Sequence, residues 1–219
     1  MSLVVENISV NIQAAPILRG VSFEVADGER VGLIGRNGAG KTTCMRAVTG
    51  LAKLRAGKIT FDGVDISAMD PRLRAHMGFG YMPEDRRLIP DLTVEENILA
   101  PAWANPAING TKGLGLVYDL MPELKEMSSR RALQLSGGQQ KMVALGRALV
   151  LGTRLLLLDE PFEGVAPALA KRISDVIVAL SDEKLSVLIA QSELSHSSSL
   201  LSRELTIERG EILAAPAAA

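Results

Sequence analysis

The stretch RVGLIGRNGAGKTT, residues 30 to 43, constrains this chain more than any other. It fits G-x-x-x-x-G-K-[ST] from Gly35 to Thr42, and it lies between an apolar strand pattern and a helical one. The chain must therefore pass from a strand through a tight loop straight into a helix. Glycines in such a loop let successive backbone N–H groups point inward at phosphate oxygens, a lysine reaches the terminal phosphates, and a threonine hydroxyl can ligate magnesium. Gly35, Arg36, Asn37, Gly38, Ala39, Gly40, Lys41, Thr42 and Thr43 are accordingly the expected contacts to a nucleotide's phosphates. A glycine-rich turn carrying a surface lysine would explain the glycines and leave Lys41 without a purpose.

The rest of the chain supplies a sheet for that loop. Short β-branched or leucine-rich runs recur as VVENISV, VSFEV, RVGLI, KITF, GFGYM, LLLL, SVLIA and ELTIE, with helical patterns between several of them. This predicts an α/β fold. LLLL and VLIA are apolar throughout, as in strands covered on both faces, whereas the first 30 residues alternate and suggest an antiparallel β edge on a mixed sheet. Between Pro83 and Gly152 the strand signals give way to LTVEENILA, LGLVYDLMPELKEM and QQKMVALGRALVL, with apolar residues at three- and four-residue spacing. At 219 residues and 47% hydrophobic, the chain suits one domain with a sizeable core. The expected division is a core of residues 1–83 and 152–213 with a helical subdomain, residues 84–151, inserted in it. Inside the insertion, APAWANPAINGTKGLG has two interior prolines and almost no charge, and predicts an irregular connection or a loosely formed helix.

LLLLDEP places Asp159 and Glu160 at the end of a buried strand, where carboxylates emerge at the sheet's carboxyl edge beside the phosphate loop. Asp159 is placed to hold magnesium through its water shell, and Glu160 to polarise a water that attacks the γ-phosphate. Hydrolysis of ATP, with Mg2+, is the chemistry this pair suggests.

A third motif, LQLSGGQQK, heads another helical pattern. Ser136 with Gln139 three residues later is an ordinary capping box. A cap, however, needs no pair of glycines. Gly137 and Gly138 remove side chains where a helix start carries partial positive charge, so a phosphate could come into direct contact.

Composition narrows the partners. With 24 basic against 25 acidic residues the formal charge is −1, so no global field draws the chain to nucleic acid or anionic lipid. Cys44 is the only cysteine, which rules out an internal disulfide, and its helical position suggests core filling. No stretch approaches the roughly 18 apolar residues of a membrane span, and the start has no signal-like segment, so a soluble, cytosolic chain is expected.

These three motifs in this order, with a helical insertion before LSGGQQ, resemble the ATP-binding cassette family over essentially the whole chain. In that family two cassettes stack head to tail, and each ATP touches one phosphate loop and the other subunit's LSGGQ turn. The resemblance implies that Ser136, Gly137, Gly138 and Gln139 meet the γ-phosphate held by a partner's Lys41, in a homo- or heterodimer. PEDRRLIPDLTVEENI, VYDLMPEL and DEPFEGVAP are similar to cassettes of importers for branched-chain and other hydrophobic amino acids. That group commonly has glutamate where most cassettes have glutamine, here Glu84, an oxygen donor to magnesium or water. It often has glutamine where others have a γ-phosphate histidine, here Gln191. Such an ATPase sits on the cytoplasmic face of the inner membrane against permease subunits, served indirectly by a solute-binding protein.

Two departures bear on the carry-over. The position where cassettes usually stack an aromatic on adenine is Ile12, an aliphatic cover. The aspartate common after the DEP strand end is replaced by Ala166, in the loop through which paired sites communicate. His76 and His196, the only histidines, fall at neither catalytic position and read as surface or packing residues. Urea, amide and lipopolysaccharide systems have similar cassettes. Cassettes acting on nucleic acid or ribosomes generally carry coiled-coil insertions or two cassettes per chain, and neither occurs here. A GTPase would need an NKxD-type motif, which is absent from the sequence.

Overall fold

The computed structural model describes residues 3–105, 107–180, 185–193 and 200–213; His196 lies outside them. The chain begins with β1 (Leu3–Ile12), β2 (Ala15–Val25) and β3 (Arg30–Ile34), and enters helix α1 (Lys41–Val48) through the glycine-rich loop. Strands β4 (Ala56–Phe61) and β5 (Val64–Asp65), helix α2 (Pro71–His76) and strand β6 (Phe79–Met82) follow. Next come helices α3 (Val94–Ala104), α4 (Gly110–Leu120), α5 (Pro122–Glu126) and α6 (Gly137–Leu151). The chain then runs through β7 (Leu155–Asp159), α7 (Pro167–Ala179), β8 (Ser186–Gln191), β9 (Arg203–Glu208) and β10 (Glu211–Leu213).

These strands form two sheets. The six-stranded one has the order β10-β9-β3-β8-β7-β6; its central pairings are parallel, and β10 is its antiparallel edge. The amino-terminal strands, expected as an edge of this sheet, form a separate four-stranded antiparallel sheet of order β2-β1-β4-β5. The alternation of their sequence is explained by that arrangement, since Val5, Ile8, Val10, Val21, Phe23 and Val25 turn one face inward.

Period-two geometry in the parallel strands divides the interior in two. Leu155, Leu157, Leu188 and Ala190 face α1 and the antiparallel sheet, in one core with Val31, Leu33, Cys44 and Met45. Leu156, Leu158, Val187 and Ile189 face the other way, in a core with Val94, Ile98, Val117, Leu145 and Ile173. The helices between β6 and β7 therefore share one apolar core with the sheet. None of the described residues in 83–154 belongs to a strand.

Helix α3 begins at a capping box, with Thr93 accepting from the Glu96 N–H and Glu96 accepting from the Thr93 N–H. It continues through Pro101 to Ala104, and α4 begins at Gly110, so the segment expected as an irregular connection or a loosely formed helix is helical over 100–104 and 110–115. Only three helical residues follow the proline, so its missing N–H costs a single ladder bond near the helix end. Trp103 on that last turn is 58% exposed.

Candidate functional site

Strand β3 delivers the phosphate loop to the carboxyl edge of the parallel sheet, between β8 and β9. Gly40 caps α1 with a φ of 113°, a left-handed backbone, and no side chain occupies the cap. A Cβ there would also come within 2.9 Å of Leu18. The start of α1 is thus bare N–H groups carrying the positive end of the helix dipole, which favours an anion. Residues 36 to 39 line an open cleft together with Ser192, Glu193, Glu208 and Arg209. Its far wall is the β9–β10 turn, fixed by a bond from the Gly210 N–H to the Ala39 carbonyl.

At the base of the loop, Lys41 is 5% exposed and its Nζ donates to the Gly35 carbonyl at 2.5 Å and the Arg36 carbonyl at 3.3 Å. It also lies 3.1 Å from Oε1 of Glu160. Thr42 donates its hydroxyl to Oδ1 of Asp159 at 3.2 Å, although 117 residues separate them in sequence. Asp159 is fully buried at the end of β7, and Tyr81 of the adjacent strand β6 donates to its other oxygen at 3.2 Å. Burial pushes the Asp159 carboxyl up to about 6; the charges of Glu84 and Glu160 add to this, and the bonds from Thr42 and Tyr81 oppose it.

Glu160, the next residue, has a φ of 50°. A left-handed backbone at a buried non-glycine residue is uncommon and clusters at functional sites. Its Oε2 accepts from the Ser192 N–H at 3.1 Å and from the Ser192 hydroxyl at 3.4 Å. Gln191 ends β8 and hydrogen-bonds the loop through its carbonyl to the Gly35 N–H; its buried side-chain oxygen has no hydrogen-bond partner among the described residues. Lys41, Thr42, Asp159, Glu160 and Gln191 therefore meet in one place.

The other sequence candidates lie apart. Glu84 is exposed in the turn after β6, near enough to act electrostatically on Asp159. Ile12 pairs with Ala15 at the tip of the β1–β2 hairpin and is half exposed, outside either core. Ser136 and Gln139 make the reciprocal capping box at the start of α6, at 3.3 and 2.9 Å. Among the described residues, no hydrogen bond joins residues 136–139 to residues 35–43. A Cβ on Gly138 would come within 2.6 Å of the end of the Leu169 side chain in α7, so α7 also crowds that glycine. Gly137 and Ser136 remain open to solvent.

Tyr81 and Ser192 bond to Asp159 and Glu160, and Lys141 donates to the main-chain carbonyls of Glu160 and Glu163, without a sequence signal that names any of the three.

A loop built for phosphates, a buried acidic strand end and a separate bare helix start define a P-loop nucleoside triphosphatase. The chain matches the ABC transporter family over residues 18–163 and belongs to it, as an ATP-binding, ATP-hydrolysing subunit. It is 35% identical to the high-affinity branched-chain amino acid transport ATP-binding protein BraG of Pseudomonas aeruginosa, over 90% of this chain and 84% of that one. It is 34% identical to the lipopolysaccharide export system ATP-binding protein LptB of Haemophilus influenzae, over 97% of this chain and 89% of that one. Among solved structures, the ADP conformation of MJ1267, an ATP-binding cassette of an ABC transporter, superposes with a TM-score of 0.83 at 29% identity, covering 98% of this chain and 90% of that one.

Proposed function

We propose that this chain drives an importer of branched-chain or other hydrophobic amino acids, through ATP-dependent pairing of two cassettes. The observation that carries the transport mechanism is the split site. Lys41, Thr42, Asp159 and Glu160 converge around the phosphate loop, while Ser136 and Gly137 at the start of α6 are exposed to solvent and take no part in that cluster. A second cassette would supply the missing half by presenting Ser136, Gly137, Gly138 and Gln139 to the γ-phosphate.

In this mechanism residues 35 to 43 bind and orient the triphosphate, with Lys41 on the terminal phosphates. Ile12 covers adenine from the hairpin tip. Glu160 accepts a proton from the attacking water, Ser192 holding its other oxygen in place. Gln191, with its free side-chain oxygen, orients the same water, and Glu84 approaches from the adjoining turn. The paired Thr42 hydroxyl and Asp159 carboxylate fit a magnesium ion. That hard cation takes oxygen donors, keeps several waters and typically uses one or two carboxylates with substrate phosphates. When bound, it neutralises charge on the β- and γ-phosphates. Among the described residues, no cluster of three or more acidic, histidine or cysteine side chains offers an all-protein alternative.

No described helix is long and apolar enough to cross a membrane. The likeness to ATP-binding subunits of transport systems supports a place on the cytoplasmic face of the inner membrane, against permease subunits. The docking surface is the cleft of about 550 Å³ between α2 and the end of α3, lined by Leu73, Pro101 and Ala104. Leu73, Ile89 and Trp103 all expose apolar surface, and the occupant is a cytoplasmic helix of a permease. Residues 84–151 would then act as the helical subdomain that carries Glu84 and α6 toward or away from the core.

The amino-acid substrate is favoured by Glu84 and Gln191 together with DEPFEGVAP, all features of that importer group. Lipopolysaccharide export is the second reading, favoured by the similar identity to LptB. Recovering the complex from detergent-solubilised membranes and identifying its subunits separates them. A companion solute-binding protein supports import, lipopolysaccharide-export subunits support the alternative, and recovery only with DNA or ribosomes overturns both.

A further inference from the structure

Lys141 is the fifth residue of α6, and it is 5% exposed. A buried ammonium needs hydrogen-bonding partners, because desolvation without them costs several kcal/mol. Its Nζ finds them in two main-chain carbonyls, that of Glu160 at 2.8 Å and that of Glu163 at 2.5 Å. Burial holds its pKa below the ordinary lysine value; the charges of Glu163, Glu160 and Glu84 oppose that shift and Arg86 adds to it.

Neither carbonyl is an incidental acceptor. Glu160 carries the left-handed φ of 50°, and its N–H is already held by the Ala190 carbonyl at 2.9 Å. The Lys141 bond fixes the other side of the same residue. The direction of the Glu160 carboxylate, toward Lys41 on one oxygen and Ser192 on the other, follows from that backbone. The bond to Glu163 then pins the end of the turn that follows, since the Glu163 N–H itself donates back to the Glu160 carbonyl.

Lys141 also stands on the helix whose first turn holds Ser136 and Gly137. Arg86 ties the Glu84 loop to that turn, through bonds to the side-chain oxygen of Gln140 at 3.2 Å and the Gly137 carbonyl at 3.4 Å. Glu84, Arg86, Gly137, Lys141 and Glu163 line one cleft of about 260 Å³ where the three segments meet. We propose that Lys141 is a positioning residue for Glu160, clamping the loop of residues 160–163 to the helix that faces the partner cassette. The aim of the hydrolytic carboxylate then depends on where α6 sits. This inference rests on Glu160 being the group that activates water.

The test is single-turnover ATP hydrolysis and ATP binding by the full chain, for Lys141→Met and Lys141→Arg, and for Lys141→Met combined with Glu160→Gln. Lys141→Met lowers the rate at saturating ATP by about tenfold or more, with the Kd for ATP within about twofold of the parent. Lys141→Arg, which keeps charge and donors, recovers part of that rate. In the Glu160→Gln background Lys141→Met causes no further loss, because a clamp has no effect once the group it aims is gone. A parental rate in Lys141→Met overturns the proposal, and so does an equal additional loss in the Glu160→Gln background, which marks a general folding role. Should Lys141→Met fail to fold, Lys141→Gln is judged on the same criteria. If Glu160→Gln itself turns over at the parental rate, the assignment of Glu160 fails; if it is slow while Lys141→Met is normal, only the Lys141 clamp fails.

Discussion

The ammonium of Lys41 lies 3.1 Å from Oε1 of Glu160, with both side chains almost wholly buried. The residue that reaches for phosphate and the residue proposed to activate water are thus electrostatic partners. In the proposed mechanism a triphosphate in the loop would draw Lys41 toward its terminal oxygens and leave the Glu160 carboxylate on its bonds from Ser192. Substrate binding and exposure of the base become one event.

Glu160→Gln keeps the shape of that pair and removes the base. Turnover falls by the roughly 10²–10⁴ typical of a lost general base, while ATP binding persists. The ATP-bound form accumulates as a dimer, seen as doubled mass by size-exclusion chromatography with light scattering. Lys41→Ala behaves differently: it abolishes ATP binding and leaves the buried Glu160 without its counter-charge, so its melting temperature falls as well. Full ATPase activity in Glu160→Gln removes Glu160 from the mechanism.

Ile12 sits half exposed at a hairpin tip, outside both apolar cores. A tyrosine there meets no packing constraint, so Ile12→Tyr folds normally. If Ile12 covers adenine, the aromatic ring tightens ATP binding by up to about 1.5 kcal/mol, the upper end of a specific aromatic contact. Titration calorimetry of both proteins measures this. An unchanged Kd means that a different side chain lies over the base.

Ala166 is the N-cap of α7, with an extended backbone, and provides no side-chain cap bond; Pro167 follows at the first helical position. An aspartate there would accept from the next turn's N–H groups and oppose the helix dipole. Ala166→Asp stabilises the fold by about 1 kcal/mol, which raises the melting temperature by roughly 2–4 °C for a chain of this size. Calorimetry without nucleotide isolates this effect from any change at a dimer interface. A lower melting temperature would mean that the exposed loop of residues 163–166 does not let the carboxylate reach the helix.

The phosphate loop, the acidic strand end and the capping box were all legible because each is a local pattern that fixes its own backbone. The separate antiparallel sheet was not, because β1 pairs with both β2 and β4, and the second pairing spans β2, β3, the phosphate loop and α1. Nothing within residues 3–12 distinguishes an edge strand from a strand in a sheet of its own. Tyr81, Ser192 and Lys141 escaped for a related reason. Tyr81 reaches Asp159 across 78 positions, and Lys141 bonds to main-chain carbonyls, which every residue type presents alike. Of the two readings of the proline-containing segment, a helix is the one found around Pro101, because α3 had only its last residues left to form.

Trp103 offers the sharpest test of the docking surface. It is 58% exposed on the last turn of α3, the turn whose Pro101 and Ala104 line the α2–α3 cleft, and it makes no part of the phosphate site. An exposed tryptophan is the residue type most enriched among interface hot spots, where truncation costs about 2 kcal/mol or more. Its removal leaves the cassette's own core intact, since that core is built from Val94 and Ile98 on the opposite side of the helix. Trp103→Ala therefore keeps basal ATPase activity and melting temperature near the parent values while co-purification with the permease is lost. Both properties falling together would assign Trp103 to folding. Retained co-purification would move the permease contact away from α3, to Leu73 on the other wall of the cleft or to Ile89 in the Glu84 loop.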